Sequence, residues 1–351
     1  MIVSLGRTTF LYETKRHLFV SPGSHKPSIN SKPNNRHIKS HRRIYLSKKI
    51  SDYTINSKNT DLIFSAMDSS GAFESKNLCE GVYILRAMLD DKKCTKFLSF
   101  VGAIVSTGLR GIIRDMLKKR MFDCVITTCG ALDHDIARTY GSYYLGDFGM
   151  DDYTLLNEKV HRLGNVLVPT ENYGPLIEEK VQSWLSKIQS EKNTNNFGTY
   201  EITNYLGKNL DQSSFLYWAY KNDIPVIVPG LVDGAVGSQI WLFQQQHREF
   251  KIDILSDETK LSDLAYGARK TGSLMIGGGI SKHHTLWWNQ FRGGLDYAVY
   301  MTTASEWDGS LSGALVREAI SWGKVNTKAK QTTIHGEVTT LLPFMYAALL
   351  D

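Results

Sequence analysis

The sequence predicts a doubly wound α/β fold, with a mostly parallel sheet of about six strands and helices on both faces. Short runs rich in apolar and β-branched residues recur along the chain, and each leads through a turn rich in Gly, Ser and Thr into a helical segment. The runs are continuous and not alternating, which is typical of parallel strands buried on both faces. The strands and turns lie in 96–108, 123–135, 224–237, 272–284, 295–308 and 332–335, and a C-terminal helix follows Gly336 and Glu337.

A basic segment precedes these elements. Residues 1–50 contain eleven Lys and Arg and one acidic residue, which gives this segment a charge of about +10 and leaves about −4 for the rest of the chain. We interpret residues 1–55 as a disordered extension, because the stretch 21–49 is rich in Pro, Ser and Asn and has no apolar period. It is a solvated tail, the product of an upstream start site, or a segment that binds RNA or an acidic partner. The acidic balance of the body argues against a nucleic-acid surface there.

Residues 56–351 are expected to form a single domain. Apolar residues recur at helical spacing on both sides of a turn at 69–72, and the core is expected to begin there. The polar, Asn-rich run 187–199 is interpreted as a surface loop within the domain. The apolar positions of the two first helices are Leu62, Ile63, Ala66 and Met67, then Leu78, Val82, Leu85, Met88 and Leu89.

Composition points to a soluble, cytoplasmic protein. No stretch reaches the roughly 18 apolar residues of a membrane span. Arg7, Glu13 and Lys15 interrupt any signal-peptide core. The four cysteines form no disulfide or zinc pattern and are expected to be buried and reduced.

Two glycine-rich turns follow predicted strands. In open parallel sheets, ligands bind beyond the carboxyl ends of the strands, where helix N-termini present N–H groups to anions. The turns 277–279 and 127–130 would lie at this edge, and both suit a dinucleotide. The GxGxxG fingerprint is absent, so tight-turn packing without a cofactor is the alternative.

Three segments concentrate reactive groups at presumed strand ends, namely 281–284, 306–310 and 318–324. Beside Trp322 and Gly323, Lys324 can lose its hydration shell, and its uncharged amine can then attack an imine or carbonyl carbon. The alternative is a solvated lysine after a helix. Of the adjacent His283 and His284, one at most is expected to act as a base, and a metal site is not expected. Four acids could bind a cationic ligand or cap helices, namely Asp233, Glu306, Asp308 and Glu318.

Several long motifs resemble deoxyhypusine synthase, and its archaeal branch more than its eukaryotic one. The resemblance spans residues 60–351, and its motifs include ITTCGALDHDIARTYG, HRLGNVLVP, VPGLVDGAVGSQ, IGGGISKHH and REAISWGK. It implies that NAD takes a hydride from spermidine, and that a lysine holds the aminobutyl group as an imine before transfer to the translation initiation factor 5A precursor. It also implies a homotetramer with active sites at dimer interfaces.

The resemblance assigns site residues by position. Lys324 matches the imine-forming lysine and His283 the base. Positions for the polyamine are Trp322, Glu318, His134, Asp133, Gly309, Ser310, Leu311 and Ser238. Positions for NAD are Gly102, Ala103, Ile104, Val105, Ser106, Thr128, Cys129, Gly130, Asp233, Gly278, Thr303, Ala304, Asp308, Glu337 and Val338.

Some positions depart from the eukaryotic pattern of the family. Ser238 and Leu311 replace aspartates, and His134 replaces a glutamate; similar replacements mark archaeal members. Ala103 replaces an Asn, and Glu337 an Asp. Two other functions stay open: a homospermidine synthase-like transferase whose acceptor is a free amine, and a catalytically silent NAD-binding subunit.

Overall fold

The computed structural model describes residues 49–52, 60–70, 72–192 and 194–350, so most of the predicted basic extension lies outside the described residues. No helix in these ranges is both long enough and apolar enough to cross a bilayer. The α-helices of these ranges are α1 (Thr60–Ser70), α2 (Phe73–Asp90), α3 (Leu109–Lys118), α4 (Cys129–Tyr140), α5 (Asp152–Asn157), α6 (Gly174–Glu191), α7 (Thr199–Lys208), α8 (Phe215–Lys221), α9 (Ala235–Gln246), α10 (Ile254–Gly267), α11 (Ile280–Gln290) and α12 (Val338–Ala348).

The strands fall into one large and two small sheets. Each of the six predicted runs contains a strand of the large sheet, which confirms the predicted fold class. The strands of the described residues are β1 (Cys94–Phe100), β2 (Cys124–Ile126), β3 (Tyr144–Leu145), β4 (Val160–Leu163), β5 (Val166–Pro169), β6 (Asn196–Phe197), β7 (Val226–Ile227), β8 (Lys251–Ile252), β9 (Lys270–Ile276), β10 (Leu295–Thr302) and β11 (Val325–His335).

All neighbouring strands of the large sheet are parallel, in the order β11-β10-β9-β1-β2-β7. The chain builds outward from β1 through β2 to β7, and then outward in the other direction from β9 through β10 to β11. The order therefore reverses between β1 and β9. Ligands of open parallel sheets bind in the crevice at such a switch point, at the carboxyl ends of the strands.

The central strands are buried on both faces, as their continuous apolar runs predict. Phe97, Leu98 and Phe100 of β1 are fully buried, and so are Leu274 and Ile276 of β9. Successive side chains of a strand point to opposite faces, so burial of adjacent residues requires helices on both sides. The sheet thus provides a rigid base for the loops at its carboxyl edge.

The first two helices are confirmed, but one predicted core face is wrong. Leu78, Val82, Leu85 and Met88 of α2 are buried as predicted. Leu62 and Ile63 of α1 are 75% and 49% exposed, whereas Phe64 is buried. Helical spacing identifies an apolar stripe but not what lies against it, and α1 turns another side toward α2 and α12.

The sequence did not predict the two small sheets. The strands β3, β5 and β4 form an antiparallel sheet, and β6 pairs with β8. The polar run 187–199 is only partly a loop, because α6 continues to Glu191 and β6 follows. Strands of two residues carry too little periodicity to stand out in a sequence.

Residues 49–52, within the predicted extension, contact the folded body. The backbone N–H of Ile50 donates to the carbonyl of Tyr143, and Lys49 pairs with Tyr144. The carboxylate of Asp52 forms ion pairs with Arg110 at 3.2 Å and with Arg138 at 2.9 Å. Residues 49–52 therefore belong to the ordered structure, whereas the sequence placed them in the extension.

Candidate active site

The crevice at the switch point is lined by three of the predicted turns. A 3₁₀ helix, Gly102–Ser106, follows β1 and packs against the start of α4. The N–H of Gly102 donates to the Thr128 hydroxyl at 3.0 Å, and a Cβ on Gly102 would lie 2.7 Å from the backbone of Gly130. Only glycine permits this close contact.

The glycine turn after β9 forms the other side of the crevice. Gly277 and Gly279 have φ of +73° and +75°, which favours glycine, and a Cβ on Gly277 would lie 3.1 Å from Val101. The helices α4 and α11 begin here, after the N-cap residues Thr128 and Gly279, and neither N-cap residue has a side chain that accepts a hydrogen bond from its helix. Their first N–H groups can therefore bind an anionic group such as a pyrophosphate.

The predicted cofactor residues all follow strands at this edge of the sheet. Three of them are carboxylates, and two of these have partners within the chain. Glu337 accepts hydrogen bonds from Thr339 and Thr340 at the start of α12, and Asp308 accepts one from the N–H of Ser310. Asp233 is exposed. Burial alone would raise the pKa of Glu337, but its hydrogen bonds outweigh burial and lower it.

Lys324 lies at the amino end of β11, the last strand of the large sheet. It directly precedes β11, and its carbonyl accepts a hydrogen bond from the N–H of Leu295, the first residue of β10. Its side chain is nevertheless brought to the reactive segment of α11: Nζ lies 3.3 Å from Nε2 of His283. Lys324 is 9% exposed, and Nζ lies 5.3 Å from the ring centroids of both Trp287 and Trp322.

These side chains line a cavity of about 330 Å³. Most of its lining is apolar, and Glu318 is its one carboxylate among the described residues. A pocket of this kind suits a ligand with a methylene chain and an ammonium group. The lining residues are Lys282, His283, Leu286, Trp287, Leu311, Ala314, Leu315, Glu318, Ala319, Trp322 and Lys324.

The two adjacent histidines contact different residues. His283 faces Lys324, and burial, followed by the charges of Lys324 and His284, lowers its pKa below the ordinary value of 6.5. His283 is therefore mostly neutral near pH 7 and able to accept a proton. His284 instead lies 3.1 Å from the carboxylate of Glu258.

The predicted polyamine residues separate into two groups. Trp322, Glu318 and Leu311 line the Lys324 cavity, and the exposed Gly309 and Ser310 directly precede Leu311. The other three, Asp133, His134 and Ser238, lie on α4 and α9 and do not line it.

The α4 and α9 residues have partners inside the chain. The Asp133 carboxylate accepts hydrogen bonds from the N–H groups of Ala235 and Val236, and from the Tyr173 hydroxyl. Burial lowers the pKa of His134 to about 4, and its ring bonds to the Tyr143 hydroxyl. The Ser238 hydroxyl donates to the carbonyl of Gly234. Within one chain, Asp133 therefore acts as the cap of α9.

Sequence reasoning missed Trp287 and Lys282 as cavity residues. Trp287 follows His283 by one helical turn, so this spacing was a usable signal. Lys282 was part of a reactive segment but received no role, and the structure buries it. No sequence pattern marks a buried lysine, since its acceptors are distant backbone carbonyls.

The parallel sheet, with its glycine-lined crevice at the switch point, defines a protein of the Rossmann-like α/β class. Residues 62–349 match the family model of deoxyhypusine synthase. The chain belongs to the deoxyhypusine synthase family, which confirms the predicted resemblance.

Archaeal relatives support the same assignment. A probable deoxyhypusine synthase from Thermoplasma volcanium is 50% identical over 312 residues, which cover 88% of this chain and 99% of the relative. One from Sulfolobus acidocaldarius is 46% identical over 295 residues, with 84% and 93% covered. The fold is similar to the crystal structure of an Entamoeba histolytica protein described as a candidate deoxyhypusine synthase, with a TM-score of 0.57, 19% identity, and 85% and 96% of the chains covered.

Proposed function

We propose that this protein catalyses NAD-dependent transfer of the 4-aminobutyl group of spermidine to a specific lysine of the translation initiation factor 5A precursor, the first step of hypusine biosynthesis. The observation that carries the proposal is the buried amine of Lys324 beside the neutral imidazole of His283, inside a largely apolar cavity. Membership of the deoxyhypusine synthase family supports the same reaction.

Lys324 is proposed to hold the aminobutyl group between donor and acceptor. Oxidation of spermidine beside its secondary amine gives an imine. The Lys324 amine adds to the imine carbon, and the C–N bond to diaminopropane breaks, so an imine with Lys324 remains. The acceptor lysine then displaces Lys324 from the same carbon, and reduction gives the product amine. The two electrons removed from spermidine return to the product, so the overall transfer involves no net oxidation.

His283 is proposed as the base of this sequence. A lysine attacks only after its ammonium loses a proton, and the His283 ring nitrogen is 3.3 Å from Nζ. Because burial keeps His283 neutral, it can accept that proton and return it to the leaving amine.

The cavity walls are proposed to bind the polyamine. The indole of Trp322 is 67% exposed and can cover a methylene chain, and Glu318 can pair with an ammonium group. Asp133, His134 and Ser238 lie outside this cavity in the same chain. They are proposed to complete the site of a second subunit, in a homotetramer whose active sites form at dimer interfaces.

The crevice at the switch point is proposed to hold NAD, which supplies the hydride acceptor and donor of the reaction. The contact between Gly102 and Gly130 and the uncapped starts of α4 and α11 fit a dinucleotide phosphate. The other carboxyl-edge residues assigned above would surround the remainder of the cofactor. We further propose a cytoplasmic location, where the precursor protein is made.

Substitution Lys324→Arg tests the mechanism. Arginine stays protonated and cannot form the imine, so transfer should fall by about 10³-fold or more while NAD affinity stays within about twofold. The exposed Lys328 of β11, the strand that follows Lys324, gives the control Lys328→Arg, which should retain activity. Near-normal transfer by Lys324→Arg would rule out the proposed mechanism.

Labelled spermidine separates the candidate reactions. With NAD and both acceptors present, label enters the lysine of the precursor protein under the proposed function. Label in putrescine alone would indicate a homospermidine-forming enzyme. Borohydride reduction followed by mass spectrometry should locate an aminobutyl adduct on Lys324.

A further inference from the structure

Lys282 is a buried ammonium group that the proposed mechanism does not use. It is 1% exposed, although it directly precedes His283. Burial lowers its pKa to about 8, and the charge of Glu318 opposes this shift. Burial of a lysine without an ion-pair partner is unfavourable, so its contacts identify what it stabilises.

The contacts of Lys282 converge on one segment. Its Nζ donates to the carbonyls of Leu311 at 2.9 Å and Ala314 at 2.5 Å, and it lies 3.6 Å from the centroid of the Tyr300 ring. Both acceptors are backbone atoms of the segment 311–314. A cation that bonds two carbonyls of one segment fixes its path more firmly than a neutral donor would.

The segment 311–314 contacts both the Lys324 cavity and the glycine turn. Leu311 and Ala314 line the cavity. Between them, Ser312 packs on Gly278 so closely that a Cβ on this glycine would lie 2.2 Å from the Ser312 hydroxyl. The carbonyl of Ser312 accepts hydrogen bonds from the hydroxyls of Tyr300 and Thr302. Lys282 therefore binds the two ends of the segment, and side chains of β10 bind its middle.

We propose that Lys282 is a positioning residue that holds the segment 311–314 in place beside the glycine turn and the Lys324 cavity, and so sets how the polyamine lies against Lys324. The inference rests on the proposed function for the identity of the ligand. It assigns no chemical step to Lys282, because its Nζ is engaged by backbone carbonyls and not by the reacting groups.

Substitution Lys282→Met tests the inference, because methionine keeps the length and removes the ammonium group. As the segment 311–314 loosens, spermidine affinity, measured by calorimetry with NAD present, should fall about tenfold, and the KM for spermidine should rise about tenfold. NAD affinity should change less than about twofold. Hydrogen exchange of the segment 311–314 should accelerate. The control is Lys330→Met, which removes an exposed cation of β11 and should change none of these quantities.

The outcomes separate the two proposals. Wild-type protein that neither binds spermidine nor transfers its aminobutyl group contradicts the proposed function. Wild-type protein that does both, with unchanged spermidine affinity and exchange in folded Lys282→Met, overturns the role of Lys282 alone. Lys282→Leu is measured in parallel, since apolar replacement of a buried charge usually preserves folding. Failure of both variants to fold also overturns the inference, because it makes Lys282 a residue required for folding.

Discussion

Substitution of Gly102 by alanine tests the packing of the cofactor crevice. A Cβ at Gly102 would lie 2.7 Å from Ala131 N and from Gly130 C, both of them backbone atoms. Ordinary contact begins at 3.4 Å, so the 3₁₀ helix and α4 must separate by about 0.7 Å. This displacement strains the hydrogen bond from Gly102 N–H to the Thr128 hydroxyl. Overpacking of this kind costs about 1–3 kcal/mol.

Gly130 provides the matched control, because it lies across the same contact. A Cβ at Gly130 would be 3.8 Å from Gly102 Cα, which is ordinary contact, and alanine is favourable within a helix. Urea unfolding at fixed protein concentration should therefore show a loss of about 1–3 kcal/mol for Gly102→Ala and none for Gly130→Ala.

The same pair of variants tests where the cofactor binds. If the dinucleotide approaches the backbone here, the Gly130→Ala methyl group obstructs it, and NAD affinity should fall about tenfold without loss of stability. Wild-type stability of Gly102→Ala would refute the packing argument. Unchanged NAD affinity of Gly130→Ala would place the cofactor elsewhere.

Two further predictions concern buried groups. Asp133→Ala leaves the N–H groups of Ala235 and Val236 without their acceptor, so unfolding free energy should fall by about 2–4 kcal/mol in urea denaturation; Asp133→Asn should lose less, and a loss below about 1 kcal/mol for alanine would contradict the capping role. The imidazole of His283 should titrate below 6.5 by NMR, because burial and then the Lys324 charge lower its pKa, and Lys324→Met should move the midpoint upward. The resonance of His283 is identified because it is missing from the spectrum of His283→Gln. A titration midpoint of His283 above 6.5 in the wild type would show that the ring is not the neutral base.

The strands of the sheet were predictable because a strand that is buried on both faces needs a continuous run of apolar residues, which is visible in the sequence. Five predicted runs overlap strands of the large sheet, and the part of each run that forms the strand is mostly apolar. The sixth strand, β11, was predicted only at residues 332–335, although it begins at Val325. It is an edge strand whose residues 326–331 are polar or partly exposed, so they lack the apolar run that marks a central strand.

Because the prediction for β11 was short, the sequence did not show where Lys324 lies relative to this strand. With a strand that begins at residue 332, the sequence assigns the segment 318–324 only to a presumed strand end. Because β11 begins at Val325, the backbone of Lys324 lies at the amino end of the sheet. The Lys324 side chain still contacts His283, because α11 runs back across the sheet from the glycine turn. The first turn of α11 and the Lys324 side chain therefore approach each other. Such a contact depends on tertiary packing, which periodicity does not record.

The chemistry of the Lys324 cavity restricts how a polyamine can lie in it. Spermidine carries several ammonium groups separated by methylene chains, whereas Glu318 is the one carboxylate among the described lining residues. Burial of a second ammonium group against Leu286, Leu311 and Ala319 would be unfavourable. Under the proposed function, the cavity therefore holds one end of the molecule, and the other ammonium groups lie beyond the segment 311–314 or against a second subunit. Because Lys282 fixes that segment and immediately precedes His283 in α11, the position of the base and the shape of the cavity wall are coupled.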